Sequence, residues 1–165
     1  MQNVKNSFTP ASYVKILAFL HLGILATPAI LALFFYFQIQ DAHLSFSDSD
    51  DMFLAIVPVV AMVGIFLGDF LFRKMVKSIP SNMGLKEKLA RFQTACIISY
   101  ALLEGPALFC IVIFYNTQNF AYLFIGLFLL FYLYLKRPTK DKVLNQLNLQ
   151  GAQKAQFNRL NQPID

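Results

Sequence analysis

The apolar residues of this chain come in four runs separated by short polar segments. The runs cover roughly residues 13–37, 52–72, 92–115 and 120–135. Segments of about twenty apolar residues match the ~30 Å hydrocarbon core of a bilayer, at 1.5 Å of rise per helical residue. The fourth run is the shortest, near the lower limit of about 17 residues. Tyr134 and Lys136 can extend it by snorkelling to the interface. The pattern predicts an all-α, four-transmembrane-helix bundle over residues 1–142, followed by a tail over 143–165. The first run is longer than the ~7–15 residues of a cleavable signal core, so it reads as a retained span.

The polar connections alternate in charge. The first holds Asp41, His43, Asp48, Asp50 and Asp51 and no Lys or Arg. The second holds Arg73, Lys74, Lys77, Lys86, Lys88 and Arg91. The third, Asn116-Thr117-Gln118-Asn119, is uncharged, and Lys136, Arg137, Lys140 and Lys142 follow the fourth run. The positive-inside rule then places both termini and the second connection in the cytoplasm. Aromatic residues agree: Phe34 to Phe37, Tyr115, Phe120 and Tyr122 fall at the outer interface, and Tyr13, Phe72, Tyr132 and Tyr134 at the inner one. This is the layout of a multi-pass protein of the cytoplasmic (inner) membrane.

Composition sharpens the class. The chain is 57% hydrophobic and 14% charged, against about 25% charged in soluble domains. The net charge of +5 comes from residues flanking the apolar runs, so it signals topology and no nucleic-acid partner is expected. Cys96 and Cys110 lie fourteen residues apart in one run, about 21 Å along a helix, too far for a disulfide. They read as small buried hydrophobes.

Pro28-Ala29-Ile30 in the first span resembles Pro106-Ala107-Leu108 in the third, and spans two and four both end in paired basic residues. This is compatible with two parallel hairpins, each entering from the cytoplasm. The tail is rich in Asn and Gln with spaced apolar residues. It reads as a short interfacial or loosely packed helix with a frayed end, with partner docking as the alternative.

The strongest functional lead is Glu104, the only charged residue between Arg91 and Lys136. It lies about 20 Å past Arg91, near mid-membrane, where a carboxylate is costly. Pro106 lacks the N–H that would bond the Leu102 carbonyl, leaving a polar group one turn away. Either Glu104 ties two helices together, or it handles a proton or cation. His21 and Asp69, in the inner halves of spans one and two, are auxiliary candidates. Their plainer readings are a packed interhelical histidine and an i,i+4 ion pair with Arg73. Pro28, Pro58 and Pro106 are candidate helix kinks.

The segment Ala101-Leu102-Leu103-Glu104-Gly105-Pro106-Ala107-Leu108, with the span layout, resembles small uncharacterised bacterial four-span integral membrane proteins. That resemblance implies an inner-membrane location and supplies no activity. Rotary ATPase proteolipids carry their carboxylate in the second helix of a glycine-rich hairpin, and small multidrug transporters carry theirs in the first span. Glu104 fits neither. There is no Cys-x-x-Cys, no Walker loop, no HExxH and no nucleophile elbow, and haem ligation by histidine pairs needs more than His21 and His43. No cofactor and no metal are therefore expected. The leading expectation is a non-enzymatic accessory or assembly subunit of a membrane complex, or a self-associating bundle. Its partners would be the lipid bilayer and a membrane protein or further copies of itself. The alternative is a small proton- or cation-coupled carrier centred on Glu104.

Overall fold

The computed structural model describes residues 8–47 and 51–164. Asp48 and Asp50 of the acidic connection, and the first seven residues, lie outside the described residues. The described chain is all-helical, with no strand and six helices. These are α1 (Pro10–Gln38), α2 (Phe53–Lys77), α3 (Leu85–Thr117), α4 (Phe120–Leu135), α5 (Lys140–Gln146) and α6 (Gly151–Asn158). Helices α1, α2 and α3 are each long and apolar enough to cross a membrane. The 16 residues of α4 rise only about 24 Å. Helix α5 follows at a bend of 79°, and the two count as a fourth crossing segment only when taken together.

Local chemistry sets the helix boundaries. Helix α1 opens with Pro10 behind a Thr9 cap, where Ser12 N–H donates to Thr9 Oγ1 at 3.1 Å and Thr9 N–H to Ser12 Oγ at 2.9 Å. Helix α3 begins seven residues earlier than its apolar run predicts. Its first two turns are amphipathic: Leu85, Leu89 and Phe92 are buried, while Glu87 and Arg91 pair on the exposed face at 3.5 Å. Hydropathy alone detects only the part that is apolar all round.

Helix α3 is the axis of the bundle. Helix α2 packs along one side of it, α4 along a second and α1 along a third, whereas α1 and α2 barely touch. So α3 and α4 pack as a hairpin, but α1 and α2 do not. His21 meets Tyr100 and Phe35 meets Tyr115, so α1 and α3 run parallel. Phe72 meets Phe92, and Gly64 meets Pro106, so α2 runs antiparallel to α3. One end of the bundle therefore gathers the start of α1, the α2–α3 connection, the end of α4 and the tail. Every described Lys and Arg falls at this basic end. The acidic connection and the α3–α4 turn share the other end.

Two interlocks hold the long helices. At mid-bundle, a Cβ on Gly64 would stand 2.6 Å from Pro106 Cγ and 2.7 Å from the Leu102 carbonyl oxygen. The α2 backbone thus lies directly against the carbonyl that Pro106 leaves without its helical donor. Gly126 does the same for α4, its virtual Cβ falling 3.3 Å from Cys110 Cβ and Ile111 Cγ1. Small residues let membrane helices approach closely enough for dispersion contacts to accumulate.

At the acidic end, Asn119 is buried and joins two connections. Its Oδ1 accepts from Ala121 N–H at 3.0 Å, capping α4, and from Ser45 N–H at 3.1 Å. Its Nδ2 donates to Ser45 O at 2.8 Å. His43 N–H donates to Gln118 O, and Phe120 N–H donates to His43 O, forming an isolated bridge. Tyr122 hydroxyl donates to Asp51, whose other oxygen accepts from Phe53 N–H at the start of α2.

The tail is not frayed. Val143, Leu149, Phe157 and Ile164 are all buried against the basic end. Leu160 O accepts from Ala11 N–H at 3.0 Å, satisfying a first-turn donor of α1, and Ile164 N–H donates to Phe8 O at 2.8 Å. Buried Lys88 donates to Ser81 O and Gln153 Oε1, both at 2.8 Å, and Gln153 Nε2 donates to Met83 O. Compositional reading missed this because the tail's few apolar residues are spread over two short helices and the segments beside them, and meet only after folding.

Gly64→Val places atoms against α3 backbone that cannot yield, and is expected to destabilise the bundle by about 1–3 kcal/mol or more. Gly23→Ala, which meets nothing within 4 Å, is expected to be neutral or mildly stabilising. Thermal unfolding of the two variants in detergent, followed by far-ultraviolet circular dichroism, compares them directly. By the same measurement Asn119→Ala should lose about 1–3 kcal/mol, since three backbone groups, one buried and two part-buried, lose their partner.

A candidate functional site at the C-terminal end of the fourth helix

Helix α4 ends at Leu135, so its last carbonyls lose their i+4 donors; Leu133 O and Tyr134 O accept instead from Lys136 N–H and Arg137 N–H, and each carbonyl keeps acceptor capacity to spare. In a bilayer interior such groups must be satisfied by protein. Four other parts of the chain converge to do so. From α1, His21 Nε2–H donates to Leu133 O at 2.9 Å, and the ring lies edge-on to Tyr100 at 4.8 Å between centroids. From α3, the Tyr100 hydroxyl donates to Lys136 O at 3.3 Å. From α5, Lys142 Nζ donates to Leu135 O at 2.8 Å and Arg137 O at 2.9 Å. A cation at a helix C-terminus also meets the negative end of the macrodipole.

The fourth part is α2. Asp69 accepts a charged hydrogen bond from Lys136 Nζ and a second bond from the Tyr132 hydroxyl at 2.7 Å. The side chains of Asp69 and Lys136 are each about three-quarters buried. Lys136 also lies 5.1 Å from the Tyr132 ring centroid. Asp69 therefore pairs across helices with Lys136, and no ion pair with Arg73 forms. Lys136 turns inward to that carboxylate instead of snorkelling outward. The physical reason is depth: α4 is short enough that its final lysine comes level with Asp69.

A cavity of about 140 Å³ opens beside this cluster, lined in part by Ser99, Tyr100, Cys96, Lys136, Lys142 and Gln146. Ser99 is buried, and its hydroxyl has no hydrogen-bond partner. Cys96 and Cys110 are both free and buried.

His21 and Asp69 thus come together around the end of α4, although neither bonds the other. Glu104 is not part of this cluster. It is half-buried on α3 and makes no hydrogen bond or ion pair among the described residues. At 100° per residue it falls on the stripe between Tyr100 and Tyr115, at the margin of the face that meets α1. Beyond that margin Ala101 and Gly105 are exposed, and Gly105 has nothing within 4 Å of a virtual Cβ. The Leu102 carbonyl lies on the opposite flank, under Gly64, so the loose carbonyl and the carboxyl do not share a side of the helix. Pro28 is buried on the α3-facing side of α1, while Pro58 and Pro106 are partly buried. No group of three or more His, Cys, Asp or Glu capable of holding a metal occurs among the described residues.

No family model matches the chain, and no curated protein or solved structure matches it either.

The residues that sequence reading missed are Tyr100, Tyr132, Ser99 and Lys142. Aromatic hydroxyls at an interface are expected as anchors, and nothing in the sequence says which carbonyl or carboxylate each one reaches. Breaking the Asp69–Lys136 pair tests its weight. Lys136→Met leaves a largely buried carboxylate with Tyr132 alone and is expected to cost about 1.5–3 kcal/mol. Asp69→Asn should cost less, and the double variant should recover part of the loss. Strict additivity in thermal unfolding would show that the two groups are not coupled.

Proposed function

We propose that this chain is a four-span, non-enzymatic protein of the cytoplasmic membrane, with both termini on the cytoplasmic side. It acts by association in the membrane plane, as an accessory or assembly subunit or as a self-associating bundle. The clustering of Lys and Arg at one end of the bundle supports the orientation. The combined length of α4 and α5 supports the fourth crossing.

The observation that carries the associative reading is Glu104. A carboxyl without a protein partner, half-exposed toward lipid, is costly. It stands beside the small-residue pair Ala101 and Gly105, whose open face would let a second helix come close. A partner helix would both cover that face and supply the missing hydrogen bond.

Ala101→Cys, in a background with Cys96 and Cys110 replaced by Ala, should crosslink in native membranes to a second copy or a discrete partner. Glu104→Leu should reduce the yield about 3- to 20-fold, as expected from interhelical hydrogen bonds of about 0.6–1.7 kcal/mol. Glu104→Gln, which still hydrogen-bonds, should retain most of it. A monodisperse monomer with no crosslinked product from native membranes would sink the associative reading.

The carrier reading draws on the same unpartnered carboxyl. It requires the infrared carboxyl band of Glu104 to titrate between about pH 5 and 9. Against it, His21 and Asp69 are both engaged at the end of α4 and do not bond Glu104. A spectrum unchanged by Glu104→Gln across that range, in a bundle that still folds, rules the carrier out.

A further inference from the structure

The cavity beside Ser99 adjoins a second one of about 320 Å³, and the two share Phe72, Lys136 and Gln146. The outer lobe is lined by Asp69, Arg73, Val76 and Lys77 as well. Its charges are unbalanced. Asp69 is already matched by Lys136, whereas Arg73 and Lys77 make no hydrogen bond or ion pair among the described residues. They stand one turn apart on the same side of α2. Ser99 is among the residues lining the inner lobe, and its hydroxyl is buried and unpartnered. Buried polar groups in folded proteins nearly always have a partner, so an orphan lining a cavity points to an oxygen-bearing occupant.

The apolar surroundings indicate what else the occupant carries. On α2 the side that bears Arg73 and Lys77 continues toward mid-membrane as Phe66 and Phe70, 72% and 60% exposed. Leu135 of α4, also exposed, borders the inner lobe. A basic, hydroxyl-lined cleft thus leads directly into an exposed apolar stripe. Basic pockets between membrane helices on the cytoplasmic side suit anionic headgroups.

We propose that the cleft between α2, α4 and α5 is a binding site for an anionic glycerophospholipid. The phosphate sits between Arg73 and Lys77. A headgroup oxygen enters the inner lobe to accept from or donate to Ser99 and Gln146. The acyl chains lie along Phe66 and Phe70. The proposal rests on the basic end being the membrane interface, and is independent of association through Glu104, on the far side of α3 from Ser99.

The full-length protein in detergent is titrated with phosphatidylglycerol, phosphatidylcholine and inorganic phosphate, and adducts are counted by native mass spectrometry. Phosphatidylglycerol should bind at least about fivefold tighter than phosphatidylcholine, and the double variant Arg73→Gln/Lys77→Gln should erase that preference. Lys74→Gln/Arg137→Gln removes the same charge from side chains lining neither lobe, and should preserve it. Ser99→Ala should weaken phosphatidylglycerol binding about threefold without lowering the lipid-free unfolding midpoint, because the hydroxyl has no protein partner to lose. Crosslinking through Ala101→Cys should be unaffected by Arg73→Gln/Lys77→Gln, which separates this site from the associative surface. Equal binding of the two lipids would overturn the proposal. So would equal loss in both double variants, which would mean diffuse charge attraction. Displacement of the lipid by inorganic phosphate alone would show a free-phosphate site instead.

Discussion

A helix that stops short inside a membrane protein leaves carbonyls that lipid cannot solvate, and the end of α4 is built around that constraint. The sixteen residues of α4 rise about 24 Å, roughly one turn less than the ~30 Å hydrocarbon core of a bilayer. Its terminal carbonyls are taken by His21, Tyr100 and Lys142, drawn from α1, α3 and the tail. Its last lysine is taken by Asp69 of α2. His21, Asp69, Tyr100 and Tyr132, polar side chains from all four apolar runs, are used here. The same hydrogen bonds that satisfy one helix end therefore fix the relative placement of all the others. The tail belongs to this arrangement, because Lys142 holds α5 against the bend.

Packing at mid-bundle follows from a second constraint on backbone groups. Pro106 frees the Leu102 carbonyl, and the α2 backbone at Gly64 covers it. Only a residue without Cβ permits that approach. A proline in one helix and a glycine in its neighbour thus act as a matched pair. Together with Gly126 on the other flank, they explain why α3 is the axis while α1 and α2 stay apart.

Glu104 stands out against this background of satisfied groups. His21, Asp69, Lys88 and Asn119 all have defined protein partners; the carboxyl in the middle of α3 does not. Ser99 is the other exception, and it lines a cavity. The two exceptions face different sides of α3. One borders an open small-residue surface suited to another helix, and the other borders a basic cleft suited to an anionic headgroup. Functional contacts in a membrane protein are expected where internal satisfaction stops.

The sequence by itself determined the helical class, the positions of the apolar runs, the segregation of basic from acidic connections and the isolation of Glu104. Each of these depends only on the local match between side chains and solvent, which hydropathy and charge record directly. Only the tertiary structure decided the partners. Asp69 had Arg73 four residues away and took Lys136 instead, sixty-seven residues on. Asn119 looked like an ordinary turn residue and proved to join two loops. The tail read as a short interfacial or loosely packed helix with a frayed end, yet it buries Val143, Leu149, Phe157 and Ile164. In each case the deciding quantity was the relative depth and rotation of helices distant in sequence. Those are set by backbone contacts at Gly64 and Gly126 and by where α4 happens to end, and no local window along the chain contains them.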